Sequence, residues 1–386
     1  MKGKKILNQK ILEKAKNPEI TPIFHSTAYI VEDTDDYDLA NKGVKYCYSR
    51  TANPNRDELS SLVSELENGE NTLICSSGMA AISTTLISLL KQGDHVLFNK
   101  HIYGETIHIA QDILQNFGIE SSFVDFTELE EVKMALKKNT KLLYGEIIAN
   151  PLTQIIDLEK IVELAHKNNS LVVIDSTFTT PFAIKPLDYG TDIVIHSLTK
   201  FFGGHSDITG GSITANNGII NEIIPKYLLM GCCMDPNTSW LTCRSIKTMG
   251  MRMKKQFKNA EKIAKYLEKK SVVKSVYHPS LKSHPQHELG KKILNENYGS
   301  ILSFRVEDDR ERVNKFIRGL KRINYLGTLG GVNTSLAHPA TAFRDSFSAE
   351  ELSEMGLHEG LIRISVGIED SKDLIDDLEE ALKYFK

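Results

Sequence analysis

The sequence predicts an α/β protein, with a mostly parallel sheet in a large domain and a smaller C-terminal α+β domain. Two observations lead to this prediction. Short apolar runs alternate with helical patterns over residues 57–242, and this alternation stops beyond Ser239. Strands that alternate with helices form parallel sheets covered by helices on both faces. In such sheets, ligands bind outside the carboxyl ends of the strands.

The elements of the large domain follow one another in a regular order. We expect its first helix to be capped by Asp57 and to end at Gly69, with apolar residues recurring at helical spacing. Thr127 and Glu130 match a capping box at the start of a later helix. Buried strands are predicted at NTLIC, HVLF, SSFVDF, KLLYGEI, LVVID and DIVIH.

The chain divides into three predicted segments. Residues 1–56 are irregular and form an arm, which should lie against the body or another subunit. Residues 57–242 form the large domain, and residues 243–386 form the smaller one. The smaller domain contains a long helix over Met249–Leu267, strands at SILSFRV and LIRISVG, and a final helix over Ser371–Tyr384.

Composition excludes several classes of protein. The chain has 386 residues, of which 41% are hydrophobic and 25% charged, as in ordinary globular proteins rather than disordered or fibrous ones. The net charge of −3 offers no broad electrostatic attraction for nucleic acid or an acidic membrane. No apolar run approaches the ~20 residues that span a bilayer, and the basic N-terminus does not resemble a secretory signal.

The cysteines indicate neither a disulfide framework nor a metal site. Their number is odd, and no CxxC pair is present, which argues against a zinc knuckle or a redox dithiol. Free thiols in a reducing cytoplasm are the expected state, so we predict a cytoplasmic protein. The five residues are Cys47, Cys75, Cys232, Cys233 and Cys243.

The segment DIVIHSLTKFFGGHSDITGG places a lysine at the mouth of the predicted sheet. A strand ends at His196, and Ser197, Thr199 and Lys200 follow in a glycine-rich loop. A lysine amine in this position can form a Schiff base with a carbonyl compound, and the hydroxyls can hold a phosphate. For this segment alone, a surface lysine is the alternative. A P-loop does not fit, because GxxxxGK[ST] is absent.

Asp175 ends the nearly all-apolar strand LVVID. A carboxylate in such a position is costly unless it has a cationic partner. The pyridinium nitrogen of pyridoxal phosphate is one such partner, which an Asp keeps protonated so that the ring can accept electrons. An Asp that caps a strand-to-loop corner is an equally good explanation of this segment alone.

Two further segments offer phosphate contacts. In CSSGMAAIS, Ser77, Gly78 and Met79 lie where a strand leads into a helix, whose free N–H groups can bind phosphate. In YCYSRTANPN, Tyr48 and Arg50 would point the same way on an extended segment, which also suits a phosphate. Many α/β loops look like the first segment, and a salt-bridged Arg beside a core Tyr would explain the second.

Two residues in other segments complete the candidate site. Tyr103 follows a strand in NKHIYGET and can stack on an aromatic ring. Arg363 lies in the apolar strand LIRISVG, where an unpaired guanidinium is costly. A substrate carboxylate would satisfy it by a bidentate pair, and an internal Asp or Glu is the alternative.

Taken together, these segments resemble the Cys/Met-metabolism family of pyridoxal-phosphate enzymes, the trans-sulfuration enzymes. The resemblance extends from NPEITPIFHST to LIRISVGIEDSKDL, includes SHPQHEL and TLGG…LAHPA, and keeps the family's order and spacing. It implies fold type I, the fold of aspartate aminotransferase, with residues 57–242 binding the cofactor pyridoxal 5'-phosphate. It also implies a homo-oligomer, usually a pair of dimers with active sites shared between subunits.

The resemblance implies a role for each cofactor-binding candidate. Lys200 makes the covalent link to the cofactor and later shuttles protons, and Asp175 pairs with the pyridine nitrogen. Tyr103 stacks on the ring and is the candidate acid–base group near the leaving group. Tyr48 and Arg50 hold the phosphate of a neighbouring subunit's cofactor. Within the subunit, the phosphate is held by Ser77, Gly78, Met79, Ser197 and Thr199.

On the substrate side, the resemblance assigns the α-carboxylate to Arg363, with help from Asn150 and the backbone around Thr334. Glu105 replaces the Cys of methionine γ-lyases, so it can alter the neighbouring tyrosine or contact the substrate's distal end. A solvated helix-cap Glu is the alternative. Cys47 replaces an acid of animal-type cystathionine γ-lyases, and it either lines the substrate pocket or is a buried structural thiol.

The resemblance implies a carbon–sulfur lyase. It would eliminate the γ-substituent of methionine, homocysteine or cystathionine to give 2-oxobutanoate, ammonia and a thiol. Replacement of the γ-substituent, which joins an activated homoserine ester to cysteine or sulfide, shares the carbanion chemistry and stays open. A scaffold that only binds is disfavoured, because Lys200, Asp175, Tyr103 and Arg363 are all present.

Overall fold

The computed structural model describes residues 17–344 and 348–386. Within these residues, the larger sheet has seven strands in the spatial order β1-β7-β6-β5-β4-β2-β3. Strands β2 to β6 are parallel, whereas β7 is antiparallel to both β1 and β6. The predicted mostly parallel sheet is therefore confirmed. The strands are β1 Asn71–Cys75, β2 His95–Asn99, β3 Glu120–Val124, β4 Thr140–Glu146, β5 Leu171–Asp175, β6 Ile193–His196 and β7 Gly211–Ala215.

Side chains from the larger sheet pack into two separate hydrophobic cores. Along β2, Val96 and Phe98 contribute to one core and Leu97 to the other, as expected when successive side chains point to opposite faces. Helices supply the remaining core residues. In this part of the chain they are α1 Thr34–Asn41, α2 Pro54–Glu67, α3 Gly78–Leu89, α4 Gly104–His108, α5 Leu129–Ala135, α6 Leu158–Lys167, α7 Thr180–Ala183, α8 Asn217–Met230, α9 Pro236–Ile246 and α10 Met249–Leu267.

The second sheet has five strands among the described residues, in the order β10-β11-β12-β9-β8. The expected strands and the long helix α10 are present, and the final helix ends at Leu382, followed by a 3₁₀ turn. The proposed boundary at residue 242 falls inside α9 and stays a prediction. The elements are β8 Ser275–Tyr277, α11 His287–Ile293, β9 Ile301–Arg305, α12 Arg310–Gly319, β10 Asn324–Tyr325, β11 Ser335–Ala337, α13 Pro339–Ala342, α14 Ala349–Glu354, β12 Leu361–Ser365 and α15 Ser371–Leu382.

The predicted ends of α2 are wrong. The N-cap is Asn53, whose Oδ1 accepts from the Asn55 N–H at 3.0 Å, and Asp57 lies within the first turn. Pro54 at the first helical position favours this earlier start, because its fixed φ suits a helix and it lacks an N–H. The helix ends before Asn68, which takes the left-handed conformation (φ 57°) that was expected of Gly69.

Two other local predictions are also corrected. The arm is not irregular throughout, because α1 lies within it, capped by Asp33. The expected capping box at Thr127 does not form. Its hydroxyl donates to Asp125 Oδ1 at 2.7 Å, and α5 begins with Glu128 as an N-cap that makes no side-chain bond. The short Asx-type turn at Asp125 therefore takes the hydroxyl that a cap would have used.

No helix among the described residues is long and apolar enough to cross a membrane.

Two buried histidines make a testable prediction about acid stability. Burial lowers the pKa of His278 to about 3 and that of His284 to about 4, below the ordinary value of 6.5. As the pH falls, the unfolded chain therefore binds these protons before the folded chain does. We expect stability that is fully present above pH 6.5 to fall progressively toward pH 4, by about 2 kcal/mol for each histidine at pH 5.

Urea unfolding between pH 7.5 and 4.5 measures this effect. In His278→Gln, the free energy of unfolding should depend less steeply on pH, because about one proton fewer is taken up on unfolding over this range. An unchanged slope in this variant and in His284→Gln would contradict the prediction.

Candidate active site

The site lies at the carboxyl ends of the parallel strands, in a cavity of ≈ 260 Å³. Strands β4, β5 and β6 end at Glu146, Asp175 and His196, and the segments after them supply further lining residues. The structure brings together ten of the predicted residues at this cavity, although they are distant in sequence. They are Ser77, Gly78, Met79, Tyr103, Asn150, Asp175, Ser197, Thr199, Lys200 and Arg363.

The remaining predicted residues do not line the cavity. Tyr48 is 44% exposed, and Arg50 donates to the carbonyl of Leu228 at 3.0 Å. Cys47, on the same arm, is half-buried. Thr334 is buried, and its backbone N–H and hydroxyl both donate to the Glu369 carboxylate. The N–H of Thr334 is therefore already satisfied.

Lys200 follows β6 and points its amine into the cavity. Nζ donates to Thr328 Oγ1 at 3.0 Å. Burial lowers the pKa of Lys200, the nearby Arg363 lowers it further, and Asp175 opposes them. The backbone of this loop also packs closely against Gly330 (φ 82°), where an added Cβ would lie 2.9 Å from the Lys200 carbonyl carbon. A larger residue than glycine would displace the lysine.

Asp175 ends β5 beside another carboxylate. Its Oδ1 accepts from the Thr177 N–H at 2.9 Å, and its register partner on β4 is Glu146. Burial raises the pKa of Asp175, while the bonds from Thr177 and the nearby His196 oppose the rise. Among the described residues, no lysine, arginine or histidine forms an ion pair with Asp175. A cationic ring nitrogen would supply the missing partner.

The turn before α3 is shaped for an anion. Ser77 is the N-cap, and its Oγ accepts from the Ala80 N–H at 3.0 Å. The N–H groups of Gly78 and Met79 belong to the first helical turn and have no intrahelical partners. An added Cβ at Gly78 would lie 2.9 Å from Ser197 Oγ, so only glycine allows the two segments to approach this closely. Backbone donors and the Ser197 hydroxyl thus meet at one point.

Arg363 reaches the cavity from β12 of the second sheet. Nη1 donates to Asn150 Oδ1 at 3.1 Å and Nη2 to the carbonyl of Thr328 at 3.2 Å, whereas the buried Nε has no partner within residues 17–344 and 348–386. Burial lowers the pKa of Arg363 to about 10, so it stays charged at neutral pH. Among the described residues, the arginine has no Asp or Glu ion-pair partner. It can therefore still pair with a ligand carboxylate.

Tyr103 stands at the mouth of the cavity and is 43% exposed. Its backbone N–H donates to Glu146 Oε1 at 2.6 Å. Burial raises the pKa of its phenol, and the charges of Glu105 and Glu146 raise it further. Glu105 itself is exposed in the first turn of α4. The phenol therefore keeps its proton at neutral pH.

Comparison with known proteins shows the family of this chain. The model of the Cys/Met metabolism PLP-dependent enzymes matches residues 4–383. The chain belongs to this family. It is 43% identical over 345 residues to a cystathionine gamma-lyase from Bacillus subtilis, which covers 89% of this chain and 90% of the relative. It is 38% identical over 369 residues to an L-methionine gamma-lyase from Fusobacterium nucleatum, covering 94% and 93%.

Solved structures of the family have the same fold. A putative O-acetylhomoserine (thiol)-lyase from Campylobacter jejuni superposes with a TM-score of 0.90 at 30% identity, covering 94% of this chain and 95% of that one. A cystathionine gamma synthase from Xanthomonas oryzae gives a TM-score of 0.89 at 33% identity, covering 95% and 93%. The Campylobacter structure contains an N'-pyridoxyl-lysine-5'-monophosphate. The expected family, its fold and its pyridoxal 5'-phosphate cofactor are confirmed.

The residues of this chain fit that cofactor. The backbone donors of the turn at Gly78 could hold the phosphate, and Asp175, which forms no ion pair among the described residues, could pair with the ring nitrogen. Lys200 supplies a buried amine in the same cavity. The Nε of Arg363 has no partner in the part of the chain that the structure describes, so the guanidinium is able to bind a carboxylate.

Sequence reasoning missed several lining residues. Glu146 is a buried carboxylate at the end of an apolar strand, the same signal that identified Asp175. Thr328 contacts both Lys200 and Arg363, but nothing in the letters TLGG distinguishes it. The other lining residues not predicted are Ile82, Thr177, Phe178, Thr209, Gly327 and Leu329.

Proposed function

We propose that this enzyme eliminates the γ-substituent of a sulfur amino acid, giving 2-oxobutanoate, ammonia and a thiol. The observation that carries the proposal is the meeting of Lys200, Tyr103, Asp175 and Arg363 around one cavity. A base, an acid, a partner for the ring nitrogen and a carboxylate site are the groups such an elimination needs. Three relatives that are 37–43% identical to this chain are named γ-lyases, which supports elimination rather than replacement.

Arg363 and Asn150 orient the substrate. The arginine offers its free Nε and a shared Nη to the α-carboxylate, while Asn150 Oδ1 holds the guanidinium in place at 3.1 Å. A fixed, planar fork both binds the carboxylate and limits its rotation. The substrate's amino group and Cα are thereby held toward Lys200.

Lys200 moves the protons of the reaction. Its lowered pKa keeps a larger share of the amine neutral, and the neutral amine is the form that attacks a carbonyl or accepts a proton. When bound, pyridoxal phosphate supplies a cationic ring that accepts electrons from the substrate carbon. Lys200 can then take a proton from Cα and, once it has given that proton up, a second proton from Cβ.

Tyr103 donates the proton that the leaving sulfur needs. Its raised pKa keeps the phenol protonated, which suits an acid rather than a base. Glu105 contributes to that rise from two residues further along the chain, so we propose that it tunes the acid. This is the first of the two roles that the sequence suggested for Glu105.

A substrate panel tests the proposed reaction. We expect 2-oxobutanoate to form from at least one of methionine, homocysteine and cystathionine, faster than a thioether forms from O-acetylhomoserine and cysteine. Glu105→Cys should shift the preference among the three sulfur amino acids, and Glu105→Gln is the matched control for charge. Faster thioether formation would favour γ-replacement instead, a second candidate supported by the synthase and thiol-lyase structures.

We also propose that the active unit is at least a dimer, and that two such dimers assemble into a tetramer. The lining cations among the described residues are Lys200 and Arg363, and neither belongs to the phosphate-binding turn. Arg50 and Tyr48 lie on an arm with exposed apolar side chains, including Ile30 at 84%. These features support an arm that reaches a neighbouring subunit's phosphate. The proposed pocket role of Cys47 depends on the same contact.

Subunit exchange tests this arrangement. Arg50→Ala should weaken pyridoxal phosphate retention by about tenfold, because a charge-assisted phosphate contact is lost, and Arg50→Lys should lose less. Mixing Arg50→Ala with Lys200→Ala subunits should restore activity at limiting cofactor, since one site in the mixed dimer has both residues. No restoration after demonstrated exchange would place Arg50 in its own subunit's site.

We retain the cytoplasm as the proposed location. All five cysteines are free thiols, which supports a reducing compartment.

A further inference from the structure

Strand β1 ends in a cysteine that faces another cysteine across a backbone bridge. Cys75 pairs antiparallel with Cys233, and the N–H of Ser76 donates to the carbonyl of Cys232 at 2.7 Å. Because this bond joins residues that flank the pair, Cys75 and Cys233 form a non-hydrogen-bonded pair. In such a pair the Cα atoms are about 4.5 Å apart and the side chains are close.

This arrangement suits a disulfide. Bonded cysteines usually have Cα atoms about 4.4–6.8 Å apart, a range that includes the spacing of such a pair. Cys75 is fully buried, and Cys232 and Cys233 are half-buried against the same hydrophobic core. Burial is the main cause that raises the pKa of the Cys75 thiol, and the nearby Cys232 and Cys233 raise it further. The three thiols therefore interact electrostatically.

The position of the pair matters because Cys75 leads directly into the cofactor site. The next four residues form the turn 76–79, which holds the phosphate-binding N–H groups of Gly78 and Met79. Cys233 lies in the loop between α8 and α9, immediately before the buried Met234. A covalent link between them would tie that loop to the strand that leads into the turn.

We propose that Cys75 and Cys233 form an oxidation site, which closes to a cross-strand disulfide and thereby restrains the phosphate-binding turn. Peroxide is the oxidant class. The half-buried Cys233 thiolate attacks one peroxide oxygen, the O–O bond breaks and a sulfenic acid forms. The hydroxide released takes up the proton that the thiol had lost and leaves as water. The Cys75 sulfur then attacks the sulfenic sulfur, the S–S bond forms, and a second water leaves. Two thiols are oxidised and one peroxide is reduced, and a dithiol reductant reverses the bond by exchange.

Restraint of the turn should slow its local opening and thus the release of cofactor. We expect oxidised holoenzyme to lose pyridoxal phosphate at least about threefold more slowly on dilution than the reduced form, because fewer open states of the turn are accessible.

The test treats the holoenzyme with hydrogen peroxide, blocks free thiols and maps linked peptides. We expect a Cys75–Cys233 link that dithiothreitol removes, together with the slower cofactor release. Cys232→Ser is the matched control, which should keep both effects, and Cys233→Ser should lose both. Because Cys233 is only half-buried, its variant tests the proposal even if Cys75→Ser fails to fold. A link to Cys232, a link between subunits, or no change in cofactor release would overturn the proposal.

Discussion

Lys200→Ala is expected to abolish turnover, lowering kcat by about 1,000-fold or more, because one amine serves as nucleophile and proton carrier. No other lysine lines the cavity among the described residues. The variant should also release pyridoxal phosphate on dialysis, since the covalent link is lost. The measurements are 2-oxobutanoate formation, and retention of cofactor on the Lys200 peptide after borohydride reduction.

Lys185→Ala is the matched control for Lys200. Its amine lies outside the cavity and donates to Asn68 Oδ1 at 2.7 Å, so activity and cofactor content should be unchanged. Wild-type turnover by Lys200→Ala would contradict the proposed chemistry. A borohydride-stable label on another lysine would do the same.

Arg363→Ala is expected to lower kcat/KM for an amino-acid substrate by about 100-fold. The variant loses charge-assisted hydrogen bonds to the α-carboxylate, each worth roughly 1.5–3 kcal/mol. Arg363→Lys keeps the charge but not the planar fork, so it should recover only part of the loss. Steady-state kinetics of both variants provide the measurement.

Two measurements distinguish the loss of carboxylate binding from a general disruption of the site in the Arg363 variants. Cofactor affinity should stay within about threefold of the wild type, because the proposed phosphate contacts are the backbone donors and hydroxyls around Gly78, and Arg363 is not among them. Inhibition by a simple carboxylate such as 2-oxobutanoate should weaken in parallel with kcat/KM. Unchanged inhibition would show that the carboxylate binds elsewhere.

Several of the predicted residues that line the cavity lie at or just after the ends of strands. Asp175 ends β5, Ser197 and Lys200 lie in the loop that follows β6, and the carboxyl ends of parallel strands meet at one edge. Arg363 was recognised because a charge in an apolar strand needs a partner. For Asp175 and Arg363, burying a charge in an apolar strand is costly unless a partner is present, which is why the sequence singled them out.

Other features depend on contacts that the sequence does not display. Thr328 lies at the cavity, where its hydroxyl accepts a hydrogen bond from Lys200. The predicted Thr334 instead donates its backbone N–H to the Glu369 carboxylate. Helix α2 is capped by Asn53 rather than by the predicted Asp57. Both residues can cap a helix, and they lie only four positions apart. The proposed role of Arg50 depends on a second subunit, since its ligand there belongs to the neighbour.

Thr328 links two tasks of the cavity through one residue. Its hydroxyl accepts from Lys200 and its carbonyl accepts from Arg363. The group proposed to bind the substrate carboxylate and the group proposed to carry its protons therefore share a common neighbour. A substitution at Thr328 would disturb both the Arg363 guanidinium and the Lys200 amine. Substitutions that change substrate preference should therefore occur at the rim of the pocket, away from this threonine.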